Sequence, residues 1–253
     1  MSKFPHKISI VIPALNEEHG IGDVLKEIPV KKLNKLGYDV EVMVVDNGST
    51  DKTGHIARSH GATVIVQPVR GYGNAYKAGF ANATGDIIAT GDADMTYPFE
   101  DIPKILQMME DQDLEFINTD RLSTITKEAM YPSHRFGNWV LATICQVLYG
   151  LPFNDSQSGM WIFKRYVWDD LHVKSSGMPF SQELKIEVHA KGFRTAEVPV
   201  VYRRRAGDVK LNPVKDAVGN VSHLFKKRVQ LTKKRATELT KSKAKLAKVT
   251  HKA

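Results

Sequence analysis

The side chains best placed to do chemistry are the two acids of Gly91-Asp92-Ala93-Asp94, which follow the apolar run Asp86–Thr90 (DIIAT). Residues i and i+2 of an extended segment point the same way. Two carboxylates so aligned repel one another unless a cation lies between them. Oxygen-only ligation favours Mg2+ or Mn2+, and a cation held by one or two carboxylates completes its shell with the phosphate oxygens of a nucleotide. Two more polar clusters follow apolar runs. Asp46, in VDNGSTD, stands where a carboxylate accepts hydrogen bonds from base N–H or ribose hydroxyl groups, while Gly48 permits the turn and Asp51 suits a helix cap. Glu17, in PALNE, is either another such acceptor or an acid in the positive first turn of a helix.

These clusters need a scaffold, and the hydrophobic pattern describes one. Ile8–Ile12 (ISIVI) reads as a buried strand stopped by Pro13; Asn16 then caps a helix bearing Ile21, Val24, Leu25 and Ile28 on one face. Val40–Val45, Thr63–Val66 and Asp86–Thr90 read as further strands, with helices from Asp51 to His60 and over Ala75–Ala83. Strand–helix alternation with continuous apolar strands predicts an α/β protein with a mostly parallel sheet covered on both faces. Ligands of such sheets bind beyond the carboxyl ends of the strands, where all three polar clusters fall.

The second half is less regular. Leu114–Asn118, Ser158–Phe163 and Thr195–Tyr202 read as strands, and Gln182–Lys191 as a helix. Residues 136–154 carry no charge; they form either a core helix or an interfacial one with Trp139 and Tyr149 at headgroup depth. Pro213 opens an amphipathic helix through Val214, Ala217, Val218, Val221, Leu224 and Phe225 that runs into a lysine-rich tail.

The net charge of +8 is local: residues 214–253 hold 12 Lys/Arg against 2 Asp/Glu, and the rest holds 24 against 26. Such a tail suits an anionic membrane surface or nucleic acid. No aromatic residue follows Phe225, so the stacking platforms of a nucleic-acid binder are missing and no nucleic-acid partner is expected. The single cysteine, Cys145, excludes an internal disulfide framework and a cysteine-based zinc site. Gly71-Tyr72-Gly73-Asn74 lacks the Gly-Lys-Ser/Thr ending of a phosphate-cradling P-loop. The start of the chain has no apolar signal core, and no run of about 20 apolar residues exists, so a cytoplasmic protein peripheral to a membrane is expected.

Four segments, IVIPALNEE, VVDNGSTDKT, GYGNAYKAGFANATGD and GDADMTYP, in this order and spacing, resemble the family 2 glycosyltransferases, most of all the dolichyl- and polyprenyl-phosphate hexose synthases. The resemblance covers about residues 7–212. It implies a GT-A catalytic domain over 1–212, followed by the amphipathic helix and basic tail over 213–253 as a membrane-surface contact. It implies an inverting, Mn2+- or Mg2+-dependent transfer of a hexose from a nucleotide-diphosphate sugar, UDP- or GDP-linked, to dolichyl or polyprenyl phosphate. Pro13, Leu15 and Glu17 would lie around the nucleoside, Asp46 at base or ribose, and Asp92 and Asp94 on the metal, with the Thr96 hydroxyl, or water, as the third ligand where relatives often carry a glutamine. Arg121 and Arg135 match arginines near the acceptor phosphate. Asp155, Ser158 and Gly159 fit an acceptor-side motif, and Gln182-Glu183 stands where relatives carry an acidic or Gln–Glu pair. Arg205, Gly207, Lys210 and Leu211 resemble a loop that closes over the donor, with Val209 where a serine is usual.

The residues themselves agree with this reading. A phosphate acceptor is already an anion at neutral pH, so positioning, metal stabilisation of the departing diphosphate and arginines for phosphate suffice. The chain supplies separated arginines (Arg121, Arg135, Arg203, Arg204 and Arg205) rather than a Ser/His/Asp constellation. Strand alternation points Arg203 away from Arg204 and toward a surface ion pair. Rival readings are a GT-A enzyme with a soluble acceptor, such as a sugar or glycerate derivative, and a non-catalytic basic-tailed scaffold.

Overall fold

The computed structural model describes residues 6–125, 129–206 and 217–233. Its centre is a seven-stranded sheet: β1 (His6–Ala14), β2 (Tyr38–Asp46), β3 (Thr63–Val66), β4 (Ile87–Thr90), β5 (Phe116–Asp120), β6 (Trp161–Lys164) and β7 (Thr195–Pro199). The spatial order is β3-β2-β1-β4-β6-β5-β7. Only β6 runs against its neighbours, β4 and β5. The expected α/β, mostly parallel GT-A architecture is therefore the one observed.

Period-2 alternation sorts the strands' side chains between two layers of helices. Ile8, Ile10 and Ile12 of β1 point into one core. That core is closed by α1 (Ile21–Glu27), α2 (Val30–Lys35), α3 (Thr53–Ser59) and α5 (Ile102–Asp111). Val11 points into the other core, with Met43 and Val45 of β2. This second core is covered by α4 (Tyr72–Asn82), α6 (Pro132–Tyr149), α7 (Arg165–Asp170) and α8 (Phe180–Lys191). A last helix, α9 (residues 217–233), joins it through the fully buried Leu224.

Two expectations about the first loop are corrected. Pro13 does not stop β1, which continues to Ala14 in register with β2 (Pro13 opposite Val45, Ala14 opposite Asp46). Pairing with β4 ends at Val11–Thr90, so on that side Pro13 sits at an edge, where its missing N–H costs no ladder bond. Asn16 does not cap α1: the helix begins at Ile21, with Gly20 at its N-cap position, and Asn16 adopts φ 52°. Its side-chain oxygen instead accepts the Thr50 N–H at 2.7 Å, tying the loop after β1 to the loop after β2. Asp51 does act at a helix start, accepting the Thr53 N–H at 2.9 Å. The C-terminal helix starting at Pro213 is described only from residue 217 onward.

The core-helix reading of residues 136–154 fits one face of α6. Leu141, Ala142 and Cys145 are buried, whereas Phe136, Trp139 and Val147 are exposed. Tyr149 faces inward, its hydroxyl donating to the Leu224 carbonyl of α9. Among the described residues no helix is long and apolar enough to cross a membrane.

Candidate active site

Because β2, β1 and β4 are parallel neighbours, their carboxyl ends form one edge, and the three polar clusters meet there. The loops after β1 and β2 brace one another. The Glu17 N–H donates to Thr53 Oγ1 at 2.8 Å, and the Glu18 N–H to Asp51 at 3.1 Å. Asp46 is half-buried; its Oδ1 accepts the Ser49 N–H at 2.8 Å, and a Cβ on Gly54 would come within 2.9 Å of its Oδ2. Gly48, at φ +83°, makes the turn. Asn47 Oδ1 accepts the Gly71 N–H at 3.1 Å and joins this edge to the start of α4.

The two acids after β4 are not equivalent. Asp94 is buried and engaged at both oxygens: Oδ1 accepts the Thr96 hydroxyl at 2.6 Å, and Oδ2 lies 2.8 Å from Arg205 Nη1. Thr96, also buried, thus faces Asp94. Asp92 accepts no hydrogen bond from any described residue. Burial, and then the neighbouring Asp94 charge, push its carboxyl up to about 7, although Arg121 and Arg205 pull the other way. A carboxylate raised by a like charge and left without a donor, beside a second carboxylate, is an all-oxygen set that fits a hard divalent cation. Among the described residues no three acidic, histidine or cysteine side chains converge on such a cation.

Arg205 spans the edge. Its guanidinium bonds Glu17 at 2.5 Å as well as Asp94, while its Nε is buried without a partner. The segment carrying it is anchored by two backbone bonds, Arg203 N–H to Thr96 O at 3.0 Å and Ala206 N–H to Asp94 O at 2.9 Å. Arg203 pairs with Glu27 and Glu100, the ion pair expected of it, although the strand expected over Thr195–Tyr202 ends at Pro199 and alternation does not set its direction. Gly207, Val209, Lys210 and Leu211 lie outside the described residues.

On the far side of Asp92 stands the turn 155–159. Gly159 is required there: a Cβ would come within 2.5 Å of the Tyr72 hydroxyl and 3.3 and 3.4 Å of the Asp92 oxygens. Its N–H donates to the Tyr97 hydroxyl at 2.7 Å. Asp155, fully buried, grips Arg121 by a fork, with Nε to Oδ2 at 2.6 Å and Nη2 to Oδ1 at 2.9 Å. Burial alone would raise the Asp155 carboxyl, but Arg121 holds it below the usual carboxylate range. Arg121 also lies over the Tyr202 ring, 5.2 Å from its centre.

Arg135 is exposed on α6 and lines a groove of about 580 Å³ with Leu122, Ser123, Phe136, Trp139 and Asn154. The groove begins one residue beyond Arg121, at the end of β5. Pro13 lies in β1, and Leu15 directly follows that strand at the shared edge. The sequence reading overlooked Tyr72, Tyr97 and Tyr202, whose burial beside Asp92 and Arg121 keeps their phenols protonated. Only Tyr97, three residues past Asp94, carried a signal of proximity. Gln182 reaches the turn through Gln157 at 3.1 Å, but Glu183 faces α9 and accepts from Lys227 at 2.8 Å.

Residues 9–171 match the family described as glycosyl transferase family 2. A low-salt glycan biosynthesis hexosyltransferase of Haloferax volcanii is 38% identical over 220 residues, 86% of this chain and 53% of that protein. A dolichyl-phosphate hexose transferase of the same organism is 36% identical over 207 residues, 81% of this chain and 87% of that protein. The chain thus spans about half the first relative and most of the second. Among solved structures, Mycobacterium tuberculosis glucosyl-3-phosphoglycerate synthase in complex with Mn2+, UDP and glucosyl-3-phosphoglycerate superposes with TM-score 0.68 at 23% identity, over 88% of this chain and 80% of that one. At that identity the likeness speaks for the fold.

Proposed function

The chain belongs to glycosyltransferase family 2, and from that premise we propose that it transfers a hexose from a UDP- or GDP-linked donor to dolichyl or polyprenyl phosphate with inversion. The observation that carries the reading is the Asp92–Asp94 pair at the end of β4, one acid locked by Thr96 and Arg205 and the other without a donor among the described residues. Asp92 and Asp94 would hold Mn2+ or Mg2+; when bound, that cation would supply positive charge to the departing diphosphate. Thr96 orients Asp94. Asp46, Glu17, Pro13 and Leu15 border the nucleoside. Arg205, with one N–H unmatched, turns toward the donor phosphates, and Lys210 follows it in sequence.

The acceptor phosphate arrives already ionised, so the site needs no general base. Arg135 holds it at the mouth of the groove. Arg121, fixed by Asp155 and Tyr202, adds positive charge behind it. The acceptor is met at the cytoplasmic membrane surface. On α9 the inner stripe Asn220, Leu224 and Lys227 is buried, while the opposite stripe Val218, Phe225 and Val229 is exposed. An apolar stripe beside Lys226, Arg228 and Lys233 is the pattern of a helix lying in an anionic interface. The identity of the second relative supports a lipid acceptor over the soluble one bound by the structural neighbour.

Radiolabelled UDP-glucose, GDP-mannose and UDP-N-acetylglucosamine, each incubated with dolichyl phosphate and Mn2+, test the reading. One donor should give a solvent-extractable glycolipid, and Asp92→Asn should abolish it. Transfer only to water-soluble acceptors, or full activity in Asp92→Asn, would overturn it. Phe225→Asp with Val229→Asp should lower liposome co-sedimentation while leaving the fold intact; undiminished binding refutes the role of α9.

A further inference from the structure

Lys185 is fully buried in α8 and has no carboxylate within ion-pair distance among the described residues. Its ammonium donates instead to three oxygens: the Asp155 carbonyl at 3.0 Å, the Ser158 carbonyl at 3.0 Å and Ser181 Oγ at 3.3 Å. It also lies 5.7 Å from the centre of the Trp161 ring. Burying an ammonium is costly, and an apolar side chain of the same length would fill the space without that cost. Burial pulls the Lys185 amine down to about 7 although Asp155 opposes it, so packing does not account for a donor group held here by three oxygens.

The two carbonyls belong to the two ends of one turn. Their dipoles converge on a single point inside the protein, an arrangement that repels unless a cation stands between them. The rest of that turn faces the site. Its first residue is Asp155, whose carboxylate grips Arg121, and its last is Gly159, which abuts Asp92 and the Tyr72 hydroxyl. Ser181, one helical turn before Lys185, reinforces the hold by donating to the Ser158 carbonyl at 2.8 Å. Glu197 fixes the entry to the turn through the N–H groups of Asn154 at 2.7 Å and Asp155 at 3.0 Å.

We infer that Lys185 is a positioning residue of the acceptor side of the transfer site, acting as a tethered donor that draws the carbonyls of Asp155 and Ser158 together and so sets Arg121 through the Asp155 carboxylate. The inference rests on the function proposed above, and it adds a residue that touches neither substrate. Lys185 holds the inner side of the turn, and Asp155 presents the consequence to Arg121 on the outer side. A displacement of about 1 Å in a reacting geometry costs on the order of 100-fold in rate.

The test compares Lys185→Met, which keeps the volume and removes every donor, with Lys185→Gln, which keeps two N–H donors without charge. The readouts are transfer kinetics against dolichyl phosphate, the thermal shift given by donor nucleotide with Mn2+, and amide exchange across residues 155–159. Lys185→Met should lose about 100-fold in kcat/KM for the acceptor. Donor-induced shifts should stay at the wild-type value, exchange in the turn should rise, and Lys185→Gln should recover part of the loss. Wild-type exchange and acceptor kinetics within twofold in Lys185→Met would overturn the inference. So would an equal loss toward donor and acceptor, which marks a merely structural role. If Lys185→Met does not fold, Lys185→Gln decides alone: acceptor kcat/KM down with the donor shift kept supports the inference, and unchanged acceptor kinetics refute it. Exchange in the turn is read without substrate, so a wild-type protein that transfers nothing to dolichyl phosphate would overturn the function while leaving the positioning of the turn measurable.

Discussion

Replacing Lys227 by Met tests how α9 is held. Lys227 is 5% exposed, and its ammonium lies 2.8 Å from Glu183 and also contacts Glu187, both on α8 and both buried. Removing it strands two carboxylates in the interior. Breaking a buried pair from one side costs about 3–5 kcal/mol. Glu183 retains the Lys174 and Ser175 N–H groups at 3.2 and 2.8 Å and His223 at 3.5 Å, which places the loss near the lower end, about 3 kcal/mol. For a chain of this size that is a fall in Tm of roughly 6–12 °C, since each kcal/mol shifts Tm by about 2–4 °C.

The same cluster has a pH signature. Burial alone would raise the Glu183 carboxyl, but donors from His223, Lys227 and Ser175 hold it well below its ordinary 4.5. A depressed carboxyl contributes stability that is present above the ordinary value and lost as pH falls through the acid range. Lys227→Met should therefore flatten the acid limb of stability against pH, and adding Glu183→Gln and Glu187→Gln should recover part of the loss. Urea denaturation followed by circular dichroism, with amide exchange over residues 217–233, measures both effects. A destabilisation under about 1 kcal/mol, the range of an exposed ion pair, would refute a buried clamp.

Gly159→Ala places a Cβ within 2.5 Å of the Tyr72 hydroxyl and 3.3 Å of Asp92; the expected outcome is a loss of about 100-fold in transfer with the circular dichroism spectrum retained. Asp92, pushed to about 7 by burial and Asp94, must release its proton to ligate, so Mn2+ affinity measured by calorimetry should weaken about tenfold per pH unit below 7 and level off above it. The folded, metal-free protein holds that proton where the unfolded chain has released it, so this group's stabilisation should fall as pH rises from 3.8 to about 7, and Asp92→Asn should remove that slope from the thermal-melt profile. Chelation by EDTA should abolish transfer, and Mn2+ should restore it; activity that survives exhaustive chelation would refute the metal requirement.

The apolar runs of β1 to β4 and the acids at their ends are local signals, because strand burial and strand-end loops are written within a few neighbouring residues. On those terms the α/β class, the parallel half of the sheet and the placing of Asp46 and the Asp92–Asp94 pair at one sheet edge were legible from the chain alone. Four motifs in order then sufficed to point to the family. What the chain could not display were the partners those residues take across long separations. Glu17 and Asp94 are joined by Arg205 from the far end of the described body, and Asn16 leaves its helix for Thr50. Glu183 stands where relatives carry an acidic or Gln–Glu pair, yet α9 claims it through Lys227, 44 residues away. Lys185 reads as one more polar position on α8 until the sheet brings the carbonyls of Asp155 and Ser158 to the same point. Sequence patterning fixes which face of an element turns inward; which buried charge meets which dipole depends on the three-dimensional closure of the sheet and its helices, and that decided the partners of Arg121, Lys185 and Glu183.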